Sequence, residues 1–86
     1  MPEISRFYGI VIAMYHNDHE PAHFHVRYSG SKARIALDGL RLLDGRVPPR
    51  VHGLVIEWAR LHAEELYEDW RLARLRQPLK PIEPLE

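Results

Sequence analysis

Cysteine is absent from this chain of 86 residues. That excludes a disulfide framework, a thiolate nucleophile and a cysteine-based zinc knot, and makes a reducing cytosol the natural setting. Net charge is absent as well. The 12 basic and 12 acidic side chains sum to +0, which argues against a nucleic-acid binder that grips by bulk charge alone. Long apolar runs are also missing: the longest, FYGIVIAMY (Phe7 to Tyr15), falls far short of the roughly 20 residues a membrane span needs. Only Arg6 precedes that run among the basic residues, and HNDHEP follows it in place of small residues around a cleavage site, so no signal peptide is expected. A soluble, cytoplasmic protein with no membrane partner is the expectation.

What the chain does have is ordinary globular composition and a surplus of histidine. Hydrophobic residues make up 45% and charged ones 28%, figures that exclude wholesale disorder. The length is room for one domain over residues 1–86, with a thin core. Four of the six histidines, His16, His19, His23 and His25, fall between positions 16 and 25.

The pattern divides the chain into a strand-like first half and a helix-like second half. Residues 6–15 are rich in β-branched and aromatic types at both parities, the signature of a central strand covered on both faces. Asn17, Asp18 and Pro21 break it. Residues 22–28 alternate, Ala22, Phe24, Val26 and Tyr28 against His23, His25 and Arg27, and residues 32–37 alternate again. Ser29-Gly30-Ser31 and Asp38-Gly39 read as hairpin turns, with a short fourth strand over Leu40 to Leu43. Pro48-Pro49 suits a helix start, and Val51, Leu54, Val55, Trp58, Leu61, Leu66 and Ala73 recur at helical spacing. The expected fold is therefore α+β. An antiparallel meander of three to four strands (about 4–44) packs on one long helix (about 49–75). A proline-spaced tail follows (77–86), extended, its Leu79, Ile82 and Leu85 free to lie on the sheet or on a partner.

Three chemical readings follow from that arrangement. If Phe24, Val26, Ile35 and Leu37 pack under the helix, the other sheet face displays His23, His25, Arg27, Lys32 and Arg34, with Arg41 able to join from the fourth strand. Such a face, with aromatics such as Tyr8, suits RNA phosphates and stacked bases, and histidine shuttles protons near neutral pH as metal-free RNA cleavage requires. A solvated polar face is the plain alternative. In the second reading, His23-x-His25 places two imidazoles on one side of a strand, with His16 and His19 arriving from the preceding loop and Asp18 or Glu20 supplying oxygen. That is a donor set for zinc or a similar divalent ion, although H-x2-H-x3-H-x-H matches no structural zinc signature. Third, His62, Glu65 and Asp69 lie on one stripe within the helix's apolar arc, either solvated, paired, or lining a cleft with His62 as a general base.

The stretches ISRFYGIVIAMY, NDHEPAHFHVRY, PPR…GLVIEWARLH and QPLKPIEPL resemble a family of small bacterial and archaeal proteins known as domain of unknown function 4160. The resemblance spans essentially the whole chain, and NDHEPAHFHV is its most specific part. Two positions depart from it: Ala22 stands where the family has a second proline, and His16 where it has an aromatic residue. The resemblance makes Asp18, His19, Pro21, His23, Phe24 and His25 the motif positions and puts His62 in a helix motif. It implies a gene neighbour from another small family (domain of unknown function 2442), an arrangement typical of type II toxin–antitoxin pairs. The function expected from it is a toxin-side component acting on RNA or translation. If the protein is an enzyme, it is ribonuclease-like, with His23, His25 and His19 catalytic, His62 a weaker candidate, and Arg27, Lys32, Arg34 and Arg41 on the nucleic acid. No cofactor is required by that reading. The alternatives are a non-enzymatic module that binds a small neighbour-encoded protein, and a metal-binding module using His19, His23, His25 and Asp18.

Overall fold

A computed structural model describes residues 3–86, so the first two residues of the expected 1–86 domain lie outside the described residues. The chain is α+β: five strands, β1 (Glu3–Phe7), β2 (Ile10–Ala13), β3 (His23–Tyr28), β4 (Ser31–Ala36) and β5 (Leu42–Arg46), precede two helices, α1 (Pro49–Leu61) and α2 (Ala63–Arg74). The sheet is an antiparallel meander in the order β1-β2-β3-β4-β5.

Three expectations are corrected. The apolar run 6–15 is not one central strand but a hairpin, which raises the strand count to five. Tyr8 and Gly9 turn it with φ of +52° and +78°, the doubly positive geometry that matches strand twist in a two-residue turn. A tyrosine in that conformation carries no turn signal in the sequence. Next, the Asp38-Gly39 turn is longer than two residues, because the positive φ values fall on Gly39 and Leu40. The fifth strand consequently starts at Leu42 and runs beyond the expected limit at residue 44 to Arg46. Its register shifts between Arg34 and Ile35 of β4, and Gly45 lies so close to that strand that a Cβ there would sit 2.3 Å from the Lys32 carbonyl oxygen.

The third correction concerns the helix, which breaks at His62 (φ −122°, ψ 29°). No proline or glycine marks the break; the two halves bury different surfaces. Val51, Val55, Trp58 and Ala59 of α1 face the sheet, with the Trp58 ring 5.4 Å from Phe7 and 6.1 Å from Phe24. Leu66, Asp69, Trp70 and Ala73 of α2 are buried, and Trp70 reaches a different partner, the His23 ring at 5.5 Å. Trp58 and Trp70 thus hold opposite sides of β3. Arg76 in a left-handed conformation (φ +58°) ends α2, with Gln77 N–H donating to the Leu72 carbonyl and Arg76 N–H to that of Ala73.

The tail from Gln77 onward has neither helix nor strand, and it folds back as a strap on its own chain. Lys80 N–H donates to Asp69 Oδ1 (2.9 Å), Ile82 N–H to the Ile4 carbonyl (2.7 Å), and Trp58 Nε1–H to the Glu83 carbonyl (2.8 Å). Ile82 is buried and Leu79 and Leu85 pack on the core. The apolar tail residues therefore serve the intramolecular core.

Candidate metal centre

Strand pairing sorts the side chains of the sheet onto two faces, because directly opposed residues point the same way. On the side covered by α1, Ile12 and Val26 face each other and Phe24 faces Ile35. On the open side two rows run across the strands. One is Arg6–Val11–Arg27–Lys32–Arg46; the other is Ala13–His25–Arg34–Asp44. One further pair along, His23 opposes Ala36, at the end of the sheet where the 14–22 loop and α2 close over it. Two contacts fasten that closure: Arg74 Nη1 donates to Glu20 Oε2 (2.9 Å) and His16 Nε2 to the Gln77 carbonyl (3.1 Å).

His23 is consequently buried, at 2% exposure, although its strand parity puts it on the open face. Its Nδ1 lies 2.8 Å from the Pro21 carbonyl. A carbonyl only accepts, so Nδ1 carries a proton, and it is Nε2 that a neutral ring would offer as a lone pair. That Nε2 is fully buried and has no hydrogen-bond partner. It points at Asp18 Oδ2, 3.4 Å away, and the same carboxylate oxygen lies 2.9 Å from His25 Nε2. Tyr15 stands edge-on to the His25 ring, with centroids 4.6 Å apart, and Asp18 N–H donates to the Tyr15 carbonyl. The loop is thus folded so that its carboxylate meets both strand imidazoles.

All three donor atoms lie within 4.8 Å of one another. Tetrahedral zinc, with ligand bonds of about 2.1 Å, asks for donors roughly 3.4 Å apart. The two carboxylate–imidazole separations, 3.4 and 2.9 Å, bracket the lower side of that spacing, and the third lies within 4.8 Å. Two neutral imidazoles and a carboxylate are a borderline donor set suited to zinc and its neighbours in the first transition row. The Pro21 carbonyl fixes the His23 tautomer from behind, as outer partners of ligating histidines do. Without a metal, Asp18 orients the His25 imidazole as the carboxylate of a catalytic triad orients its histidine.

The remaining sequence candidates lie elsewhere. His19 is exposed in the loop and is not among the converging donors; His16 is committed to Gln77. His62 Nδ1 is 2.6 Å from Glu65 Oε1 at the helix break, while Asp69, buried on the same stripe, receives the strap. Burial pushes the Asp69 carboxyl above the ordinary aspartate range, partly offset by the Lys80 N–H bond, and its Oδ2 has no partner. Arg34 forks onto Asp44 (2.9 and 2.7 Å), which holds the Asp44 carboxyl low and the guanidinium high. Arg41 lies before β5 and outside both rows, and Tyr8 is in a turn instead of on the sheet face. Arg6 and Arg46 were missed by sequence reasoning, and the signal that finds them is strand register.

A hollow lined by Leu37, Leu40, His52, Ile56, Arg60 and Tyr67 lies beside the helices, and no metal-ligand cluster among the described residues falls within it. No helix of the described chain is long and apolar enough to cross a membrane. No curated protein and no solved structure matches the chain. A family model does match, over residues 9–71, a span that contains all three donors of the cluster and both helix tryptophans. The chain therefore belongs to the family described as Domain of unknown function (DUF4160).

Proposed function

We propose that the protein binds a divalent metal ion of the zinc class through His23 Nε2, His25 Nε2 and Asp18 Oδ2. The observation that carries this reading is the buried His23 Nε2, which has no hydrogen-bond partner and lies 3.4 Å from Asp18 Oδ2 and within 4.8 Å of the His25 donor. Leaving such an atom unmatched is costly, and a metal ion matches it. Three protein ligands leave coordination positions open to water or substrate, the arrangement of reactive sites more than of closed structural ones. Calorimetric titration of metal-free, untagged protein with zinc, cobalt and manganese tests this. One equivalent bound by the wild type, weakened at least tenfold by His25→Ala and by Asp18→Asn and unchanged by His19→Ala, is the expected result. Substoichiometric binding of all three ions, or a requirement for His19, would sink the reading.

A second reading is favoured by the oriented Asp18–His25 pair: a toxin-side component whose His25 acts as general base on RNA. His25 keeps about a quarter of its side chain exposed, whereas buried His23 has no route to a substrate. Expression of the protein alone slows bacterial growth on this account, and His25→Ala restores it. Normal growth with abundant soluble protein would remove it.

A further inference from the structure

The open face of the sheet carries a second feature that the metal reading does not use. Arg6, Arg27, Lys32 and Arg46, with Val11 between the first two, stand on one register line across all five strands. At a strand separation of about 4.8 Å the line is about 19 Å long. All four cations are exposed. Arg6 is braced by Glu3 (3.0 and 2.8 Å), and the field of Arg27 also reaches that carboxylate. His25 lies two residues before Arg27 on the same face, so its backbone is about 7 Å from the line, beside Arg34.

We infer that this face binds single-stranded nucleic acid, its phosphodiester backbone lying along Arg6, Arg27, Lys32 and Arg46 and passing the His25 end of the metal cluster. The chemistry of the surface favours this occupant over a protein or a lipid. Protein interfaces centre on buried aromatic or aliphatic anchors, and peripheral membrane binding needs an apolar insertion. The exposed large apolar side chains, Tyr8, Leu42, Leu61, Tyr67 and Leu75, are all off the line. Leu42 pairs with covered-side Ile35, Tyr8 is in a turn, and the other three belong to the helices or the end of α2. An exposed row of guanidinium and ammonium groups instead matches repeated phosphates, and the Tyr15 and His25 rings beside it offer a stacking surface. The net neutrality of the chain does not oppose this. Five acids, Glu57, Glu64, Glu65, Glu68 and Asp69, sit on the helices; on the open face Glu3 and Asp44 are each paired with one arginine, Arg6 and Arg34, which leaves the face a net positive charge.

The cation line stands without the metal, and the experiment keeps the two apart. Fluorescence anisotropy of labelled RNA and DNA single strands of about ten nucleotides is measured against salt, in zinc and in chelator. Both strands bind, since the backbone charge is common to them, and log affinity against log salt has a slope of about −3, from four phosphate contacts at about −0.7 each. The double variant Lys32→Glu/Arg46→Glu binds at least tenfold more weakly with a flatter slope, while its zinc affinity and thermal midpoint stay unchanged. Absence of binding at low salt, an unaffected double variant, or tighter binding of duplex than of single strand would overturn the inference. Binding that persists in chelator and in His25→Ala upholds the cation line even where the metal reading fails. Zinc bound without any oligonucleotide leaves the metal reading intact and defeats the line.

Discussion

The two faces of the sheet come from one alternating pattern and do opposite work. On the covered face Phe7, Ile10, Ile12, Phe24, Val26 and Ile35 pack under α1. On the open face Arg6, Arg27, Lys32 and Arg46 stand in solvent one residue out of phase with them. A one-residue slip would exchange the two sets, and the cost of burying four cations fixes the register. The difference teaches that stability and chemistry are separated by parity along the same strands. The exception is His23, which has the parity of the open face and the burial of the covered one. Trp70 and the 14–22 loop close over that corner, and there His23 Nε2 is held dry and without a hydrogen bond.

The comparison breaks most sharply through the covered face. Phe24→Ala removes the ring that meets Trp58 and is expected to cost about 3–5 kcal/mol, whereas Lys32→Ala on the open face stays within about 0.5 kcal/mol. Urea unfolding of the two variants measures the contrast, and comparable losses would show that the faces are not separated as described. A smaller effect is expected at the sheet edge that carries the end of the cation line. Gly45→Ala places a methyl group against the Lys32 carbonyl at a φ of +78°, and costs about 2 kcal/mol through strain and displacement of β5. Because Arg46 is then shifted, amide exchange in β5 speeds up more than exchange in β2 or β3. Uniform exchange would mean that the edge adapts freely.

The smallest effect concerns the junction of α2 with the strap, where Asp69 is the one buried carboxyl among the described residues. Its raised pKa means that the folded chain holds a proton the unfolded chain releases, between the ordinary aspartate value and the raised one. Stability therefore falls as pH rises through that window. Asp69→Asn removes this fall and keeps an oxygen for the Lys80 N–H. The difference in urea midpoint between variant and wild type, followed upward from about pH 4, should grow in favour of the variant. A difference that does not change with pH would place Asp69 in water.

Much of this was legible in the residues. Alternation in 22–28 and 32–37 named the covered side chains, and helical spacing named Val51, Val55 and Trp58. The crowding of His16, His19, His23 and His25 beside Asp18 and Glu20 was visible before any geometry, but not which of them converge. The hairpin at Tyr8-Gly9 was hidden, because a tyrosine in the left-handed region is dictated by the pairing of β1 with β2 and not by its own preference. The break at His62 was hidden for a similar reason: the helical period continues through it, and only the separate partners of Trp58 and Trp70 require the bend.

The sequence by itself determined the α+β class, the covered face and the donor types, since these follow from side-chain chemistry and periodicity along the chain. Tertiary structure decided which donors meet. His19 is nearer to His23 in sequence than Asp18 is, yet the loop turns Asp18 inward and leaves His19 outside. It also decided that Arg6 and Arg46, 40 positions apart, share one line with Arg27 and Lys32. Local pattern reports which way a residue points within its own strand. Strand register, set by the packing of the whole covered face, decides which distant residues stand beside it.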